Sequence, residues 1–567
     1  MMEVRNAGQA FATVMVDELA RHGVTDAVLA PGSRSTPLAL AFANDPRVRL
    51  HVRIDERSAA FLAIGLARST GRAVPVLCTS GTATAHFHAA VLEADQSRVP
   101  LLVLTADRPP ELRGVGANQT VDQMNLYGAA VRWSIDTGVP EARKDSVRYW
   151  RSLTSRMIAT TLGASGGAAG PVHVNVPLRE PLTATDDGVG FDFPLDGRAD
   201  GQPWSVADRA PTHAPAALAR AIEGSARGVL VAGDGLLPDD VTAVVEFAER
   251  SGWPVIAEPH SNARVPSVAV AGSDALLRHE PFVERHRPDL VVVVGRIGLS
   301  RTVLGWVAGQ RYVVVDRDGF WSDPSRGAAA VHRLDIAALS EVTGRTESEW
   351  VAEWQQAGSD VARAIDEVLD TDHVLNEPTI ARDLAAALPD GAALVAASSM
   401  PIRDLDLCMR ARTGLTVYAN RGVSGIDGFV STAQGVAIAH DGPTWALAGD
   451  LSLMHDANGL ITDEPPDITY VVVNNNGGGI FSILPTAQEV EPTTFERLFG
   501  TPHHVDISAL AAAYGVGHSR AETATDLRSE MERTPKGLHI LEIQTDRSAN
   551  AALHVRIQEA AAAALSR

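Results

Sequence analysis

Cysteine is nearly absent from this chain: among 567 residues only Cys78 and Cys408 carry a thiol, so no disulfide framework holds the fold. Cys78 lies in the apolar run VPVLC and reads as a small buried hydrophobe. No apolar run approaches the roughly 18 residues of a membrane-spanning helix. Arg5, Asp17 and Glu18 interrupt the region where the apolar part of a secretory signal would lie, so a cytoplasmic location is expected. Positive charge is in deficit, with 49 Lys and Arg against 69 Asp and Glu, a formal net charge of −20. That balance argues against nucleic acid or an anionic membrane as partner, and any anionic substrate needs a local cluster of basic groups. No GxGxxG string follows a strand-like run, which counts against a dinucleotide cofactor.

What the chain does have is alternation. The first third contains five apolar runs, DAVLAPGS (26–33), VRLHVRIDE (48–56), AVPVLCTSG (73–81), PLLVLTADR (100–108) and PVHVNVPL (171–178). The last third contains five more, AALVAASSM (392–400), GLTVYANRG (414–422), TWALAGDLS (444–452), ITYVVVNNN (468–476) and LHILEIQTD (538–546). Helix-compatible segments such as SAAFLAIGLARS (58–69) and TIARDLAAAL (379–388) fill the gaps. Such βα alternation predicts parallel sheets with right-handed crossovers. The middle third repeats the grammar with RGVLVAGDG (227–235), WPVIAEPHS (253–261), PDLVVVVGRIG (288–298) and QRYVVVDRD (310–318). Its GDG lacks a partner Asn cluster and reads as a tight strand-to-helix turn. The expectation is an α/β protein of three doubly wound parallel-sheet domains, 1–185, 213–350 and 351–567. A Pro-, Gly- and Asp-rich linker at 186–212 and a charged, helix-compatible stretch within 340–378 mark the joins.

The most informative pair of strings is Gly449-Asp450-Leu451-Ser452 and, about 25 residues on, Asn474-Asn475-Asn476-Gly477-Gly478-Gly479. Each ends a run that reads as a buried parallel strand. If the two strands are neighbours, Asp450 and the Asn cluster meet at the carboxyl edge, where open α/β sheets bind ligands. A carboxylate, an amide oxygen and a backbone carbonyl form an all-oxygen set that suits octahedral Mg²⁺ completed by phosphate oxygens and water. The glycines allow close backbone approach to a diphosphate. These residues do not decide which of the three asparagines turns inward.

The pair resembles the thiamine-diphosphate motif, which begins with GD and ends with NN. The resemblance implies thiamine diphosphate as cofactor, with Asp450, Asn475 and the carbonyl of Gly477 holding Mg²⁺ (or Mn²⁺) and Gly478 in the diphosphate turn. Two similar α/β domains flanking a third resemble the pyruvate-oxidase-like thiamine enzymes over essentially the whole chain. In that architecture the first domain grips the aminopyrimidine ring and the last grips the diphosphate. Thiamine chemistry needs a carboxyl group on the pyrimidine N1′ in a mostly apolar site. The candidate is Glu56, at the end of the second run and the start of an apolar helix, with Asp55 directed elsewhere. Ile426 matches the aliphatic residue that props the bent cofactor. The resemblance further implies a homodimer or dimer of dimers, with Glu56 of one chain serving the cofactor held by another.

Four longer strings narrow the resemblance: PGSRSTPL (31–38), ADRPPELRGVGANQT (106–120), YANRGVSGIDG (418–428) and GGGIFSILP (477–485). Together they resemble the menaquinone-pathway 2-succinyl-5-enolpyruvyl-6-hydroxy-3-cyclohexene-1-carboxylate synthases. This chain reads ANRG where that family has SNRG, IFSILP for IFSLLP, and ASS (397–399) where the family often has GNS. The resemblance implies decarboxylation of 2-oxoglutarate and 1,4-addition of the resulting four-carbon carbanion to isochorismate. Both substrates are dicarboxylates, which guanidinium groups bind in a planar, bidentate way. Arg34, Arg108, Arg403 and Arg421 all follow strand-like runs and are the expected anion-binding set, with Arg296 reaching in from the middle domain. Ser33, Ser399, Asn118 and Gln119 are expected to hydrogen-bond substrate, and Ile480, Phe481 and Leu484 to form an apolar wall. The catalytic set is Glu56, Arg34, Arg403, Arg421 and Gln119. The alternative is an acetolactate-synthase or 2-oxoacid-decarboxylase type of thiamine enzyme, which takes pyruvate or neutral aldehydes and does not need several arginines.

Overall fold

The β-branched runs fold as parallel strands in a computed structural model that describes residues 4–183, 185, 187–188, 190–209, 212–345, 349–372 and 374–566. Residues 184, 186, 189, 210 and 211 of the linker region, and 346–348 and 373 near the second join, lie outside the described residues. The first sheet holds β1 (Asp26–Leu29), β2 (Arg49–Val52), β3 (Val74–Cys78), β4 (Leu101–Asp107), β5 (Trp133–Asp136) and β6 (Val172–Pro177). The second holds β7 (Gly228–Ala232), β8 (Val255–Ala257), β9 (Leu290–Val294), β10 (Tyr312–Asp316) and β11 (Ala330–Arg333). The third holds β12 (Ala392–Ala396), β13 (Leu415–Tyr418), β14 (Thr444–Gly449), β15 (Ile468–Asn474), β16 (Gly517–Arg520) and β17 (Leu538–Gln544).

Strand order is β2-β1-β3-β4-β6-β5 in the first sheet and β13-β12-β14-β15-β17-β16 in the third. Counted from each sheet's own first strand the two orders are identical, so the likeness of the outer thirds is a repeated topology. The middle sheet runs β11-β10-β9-β7-β8. Among the described residues each outer sheet has six strands where the apolar runs announce five, and the middle sheet has five where they announce four. The additional strands, β5, β11 and β16, all lie at sheet edges. An edge strand is covered on fewer sides, so sequences such as WSID, AVHR and GHSR carry no continuous apolar run.

The chain divides into two compact units. One comprises Met1–Ala210, Asp427–His440 and Asp456–Pro465, and the other Pro211–Ile426, Asp441–His455 and Pro466–Arg567. In the first unit, Phe11, Phe42 and Met157 fill one face of the first sheet and Phe61, Leu62 and Phe87 the other. The helix Glu56–Thr70 starts behind Asp55, whose carboxylate accepts from the N–H groups of Arg57 and Ser58, and stops at Gly71 in the left-handed region. It crosses the helix Phe429–Ala439 at Gly65 and Gly435, where a Cβ on Gly65 would lie 2.1 Å from the carbonyl oxygen of Thr432. Residues from the linker region are tied down in this unit. Buried Arg151 bridges Glu18 (2.7 Å) and the carbonyl of Leu195 (2.6 Å).

In the second unit the charged stretch forms the helix Trp350–Thr371. It buries Trp354, Val361 and Ile365 beside Leu553 and Ile557 of the last helix, Arg547–Leu565. The GDG turn follows β7, and Gly233 is required there because a Cβ would meet the Arg296 carbonyl at 2.1 Å.

Candidate active site

β12 and β14 are adjacent, and the strand order reverses between them. Four neighbouring strands, β13, β12, β14 and β15, deliver their carboxyl ends to this switch point. A cavity of about 330 Å³ opens there, lined by Ser398, Ser399 and Arg403 after β12, and by Arg421, Ser424 and Ile426 after β13. Gly449, Asp450 and Ser452 line it at the end of β14, and Asn475, Gly477–Gly479, Ile480, Phe481 and Leu484 after β15. Glu377 and Asp404 also line it, with Met400, Pro401, Leu447, Leu451 and Val473 as apolar lining. All of these residues belong to the second unit.

Asp450 is buried at the start of a short helix. Its Oδ1 accepts from the Leu451 N–H at 2.7 Å, and its Oδ2 from the Gly477 N–H at 3.0 Å. His503 Nε2 lies 3.0 Å from the same Oδ2, while its Nδ1 accepts from the Val505 N–H at 2.9 Å. An Nδ1 that accepts puts the ring proton on Nε2, which donates to Asp450.

The three asparagines separate by partner. Asn474 donates sideways to Glu542 Oε1 at 2.7 Å. Asn476 accepts from the N–H groups of His503 and His504 at 3.1 and 2.9 Å. Asn475 donates its Nδ2 to Glu377 Oε1 at 2.8 Å, which leaves a buried Oδ1 with no hydrogen-bond partner among the described residues. The glycine turn is sterically obligatory. A Cβ on Gly477 (φ 136°) would lie 2.0 Å from the Gly500 carbonyl, and one on Gly478 would lie 2.4 Å from the Phe499 carbonyl. Asp450, the orphaned Asn475 Oδ1 and the Gly477 carbonyl are an all-oxygen set that fits Mg²⁺. The Gly477 carbonyl accepts from Gly479 N–H at 3.0 Å and keeps a second lone pair for a cation.

The opposite wall is basic. Arg403, in the helix Met400–Cys408, donates to the Ser399 carbonyl at 2.6 Å. Burial, then the charges of Arg421 and Arg301, hold its guanidinium below the usual range. Buried Arg421 donates to Ser398 Oγ at 3.3 Å and to the Gly298 carbonyl at 3.0 Å. Arg296 is not among the residues lining the cavity. Its guanidinium donates to the main-chain carbonyls of Gly422 (2.9 Å) and Arg421 and pairs with Asp234 at 3.1 Å. The middle domain thus holds the Arg421 segment by its backbone. Glu258, after β8, secures the loop that follows β9 by accepting from the Gly298 and Leu299 N–H groups at 2.9 and 2.7 Å. Burial pushes its carboxyl up to about 7.

A buried acidic pair backs the cavity. Burial, then the charge of Asp404, pushes the Glu377 carboxyl up to about 7. Burial likewise raises Asp404, which His554 Nε2 faces at 3.0 Å.

The remaining sequence-derived residues lie in the first unit, at the carboxyl edge of its own sheet. Arg34, after β1, is buried and donates to the Leu178 carbonyl at 3.0 Å, with Glu180 at 3.4 Å. Arg108, after β4, donates to Ser80 Oγ. Burial, then the charge of Arg34, holds it below the usual range. Gln119 donates to the Ser80 carbonyl at 2.9 Å and accepts from Ser80 Oγ through its own carbonyl at 3.1 Å. Arg34, Arg108 and Gln119 therefore gather around the turn after β3. Ser33 and Asn118 are exposed beside them. Glu56 is the first residue of its helix and half-buried, while Asp55 caps that helix and accepts from Asn458 at 3.0 Å.

Sequence reasoning missed Ser80, Arg301, Glu377, Asp404 and His503. Glu377 follows the N-cap Asn376 and reads locally as an ordinary first-turn carboxylate. His503 sits in a polar segment with no periodic signal.

Comparison with known proteins places this geometry. The chain matches the N-terminal TPP-binding domain of thiamine pyrophosphate enzymes over residues 9–126, their middle domain over 199–395, and their C-terminal TPP-binding domain over 405–543. The benzoylformate decarboxylase of Polynucleobacter necessarius has a similar fold, with a TM-score of 0.72 at 18% identity, covering 96% of this chain and 99% of that one. Fold and domain matches define a thiamine pyrophosphate enzyme. The 2-succinyl-5-enolpyruvyl-6-hydroxy-3-cyclohexene-1-carboxylate synthase of Thermobifida fusca is 50% identical, covering 99% of this chain and all of that protein. The synthase of the same name from Saccharopolyspora erythraea is 42% identical with the same coverage. The chain belongs to this synthase family.

Proposed function

We propose that this protein decarboxylates 2-oxoglutarate and adds the four-carbon unit in a 1,4 manner to isochorismate. The products are 2-succinyl-5-enolpyruvyl-6-hydroxy-3-cyclohexene-1-carboxylate and CO₂, a step of menaquinone biosynthesis. The observation that carries the reading is full-length kinship with synthases of that name. The cavity at the switch point of the third sheet, where Asp450, Asn475 and Gly477 meet an otherwise largely apolar lining, supports it.

Asp450, Asn475 Oδ1 and the Gly477 carbonyl would hold Mg²⁺ or Mn²⁺, with Gly478 beside the diphosphate and Ile426 supporting the rings. When bound, thiamine diphosphate supplies a carbanion that adds to a 2-oxo carbon and stabilises the charge left as CO₂ departs. Glu56 holds a proton at the pyrimidine nitrogen. Arg403 and Arg421 bind carboxylate. Their mutual repulsion within a buried wall is relieved by an anion, which favours a dicarboxylate over a neutral substrate. Arg34, Arg108 and Gln119, with Ser33 and Asn118, form the second polar cluster for the acceptor, and Ser399 adds a hydroxyl. Ile480, Phe481 and Leu484 exclude water from the reacting centre. Arg296 acts through Arg421 as a positioning residue. The pyrimidine-binding, middle and diphosphate-binding domains span 1–185, 213–350 and 351–567. The working assembly is a homodimer or dimer of dimers in the cytoplasm, each site combining Glu56 of one chain with Asp450 and Asn475 of another.

The test is CO₂ release from 2-oxoglutarate and from pyruvate, with and without isochorismate, in the presence of thiamine diphosphate and Mg²⁺. Strong preference for 2-oxoglutarate and consumption of isochorismate are expected. Equal use of pyruvate, or unconsumed isochorismate, rejects the reading in favour of an acetolactate-synthase type.

A further inference from the structure

We infer that Glu377 is a positioning residue that sets which end of the Asn475 amide faces the cation. The inference rests on the proposed thiamine-diphosphate reading. An asparagine amide has nearly the same shape with oxygen and nitrogen exchanged. Only the oxygen can bind a metal ion, and the NH₂ end would repel it. A neighbour must therefore choose. Glu377 Oε1 accepts from Asn475 Nδ2 at 2.8 Å and from the Thr545 hydroxyl at 3.3 Å. An oxygen that already accepts from a hydroxyl takes the NH₂ end of the amide, and Oδ1 is left buried and without a hydrogen-bond partner among the described residues. A buried acceptor left unmatched needs a reason, and a cation arriving from the cavity is one.

Two further features hold the amide in this sense. Glu377 is the first residue of the helix Glu377–Ala387, which Asn376 caps by accepting from the Thr379 N–H at 2.9 Å. Its carboxylate is thus presented by a rigid element. On the other side, a Cβ on Gly479 would lie 2.6 Å from Asn475 Nδ2, so the third glycine of the turn leaves the room that Nδ2 occupies.

The experiment is Mg²⁺-dependent binding of thiamine diphosphate to the full chain, read as a thermal shift and as tryptophan-fluorescence quenching. The proteins compared are wild type, Asp450→Ala, Glu377→Gln, Asn475→Asp and the double variant Glu377→Gln/Asn475→Asp. Glu377→Gln can present either an oxygen or an NH₂ and so no longer fixes the sense of the amide, and Asn475→Asp sets two carboxylates in contact. Each single variant is expected to weaken binding at least about tenfold, the usual scale for a group that orients a metal ligand. The double variant rebuilds the pair with its polarity reversed: the introduced glutamine donates its amide N–H to one oxygen of the introduced aspartate and leaves the other oxygen for the cation. It is expected to bind better than either single variant. A merely structural role predicts losses that add. Wild-type binding by Glu377→Gln, or a double variant no better than the singles, overturns the inference. Should Glu377→Gln melt lower without ligand, Gly479→Ala keeps Glu377 and crowds Nδ2. Weakened binding there supports the inference, and unchanged binding overturns it. Failure of wild type to bind, or binding by Asp450→Ala equal to wild type, rejects the thiamine-diphosphate reading itself.

Discussion

Ser399 holds a backbone conformation, φ 76° and ψ −132°, that residues with a Cβ rarely adopt. Gly81, after β3, has nearly the same angles, 84° and −141°, and there the residue is the one expected. A strained non-glycine at a cavity wall costs about 1–3 kcal/mol, whereas a glycine introduces about 0.5–1 kcal/mol of extra unfolded-chain entropy. Strain is the larger effect. Ser399→Gly is expected to melt higher than wild type while losing about tenfold in kcat/KM for 2-oxoglutarate, as a hydroxyl hydrogen bond to a charged group is removed. Thermal unfolding and steady-state kinetics on one preparation check both signs. A lower melting temperature means the strain argument is wrong, and unchanged kcat/KM removes Ser399 from the substrate site. The basic wall follows the same residue-level logic. In a chain of net charge −20, burial and then the charges of Arg421 and Arg301 lower the proton affinity of Arg403, a cost that an arriving dianion would remove.

At the scale of elements, the crossing of the helices Glu56–Thr70 and Phe429–Ala439 depends on the absence of two side chains. A Cβ on Gly65 would lie 2.1 Å from the Thr432 carbonyl, and one on Gly435 would lie 2.3 Å from the Leu62 carbonyl. Glycine inside a helix costs up to about 1 kcal/mol relative to alanine, while forcing extra volume into a packed contact costs about 1–3 kcal/mol. With backbone as the obstacle, overpacking wins, and Gly65→Ala should lower the melting temperature. Gly305, in the helix Arg301–Ala308, has nothing among the described residues within 4 Å of its Cβ position. Gly305→Ala keeps the propensity gain and should raise the melting temperature slightly. Opposite signs for one chemical change separate packing from propensity, and a Gly65→Ala protein as stable as wild type would show that the helices can move apart at little cost.

For the whole molecule, the repeated topology makes the two outer sheets deliver four loops each to a carboxyl edge. In the third sheet these carry Arg403, Arg421, Asp450 and Asn475. In the first they carry Arg34, Glu56, Ser80 and Arg108. The proposed assembly joins one set from one chain to the other set from its partner. Glu56→Gln and Asp450→Ala proteins should each be inactive, and mixing them should restore activity. With free exchange in a dimer, on the order of a quarter of the sites regain both residues. CO₂ release measured after exchange, with exchange verified by differently tagged chains, is the check. No recovery would mean that each site is built within one chain.

The sequence alone determines the parallel α/β class, because strands buried on both faces must be apolar throughout, and runs such as ITYVVVN (468–474) can hardly be anything else. It also determines that Asp450 and the Asn cluster stand at strand ends, and that four arginines lie in the segments that follow strands. The edge strands β5, β11 and β16 escape it, since half-covered strands need no apolar run. Arg296 shows a different limit. Its position after β9 is legible, but whether a guanidinium faces a cavity or the carbonyls of Arg421 and Gly422 depends on the loop that happens to lie opposite. The tertiary structure likewise decides among Asn474, Asn475 and Asn476. All three are chemically equal in the chain, and they become different only when Glu542, Glu377 and the His503–His504 backbone, each from a separate element, take up their hydrogen bonds. Strand-end position is set locally by the hydrophobic pattern. Side-chain direction is set by partners distant in sequence, and only folding brings those within reach.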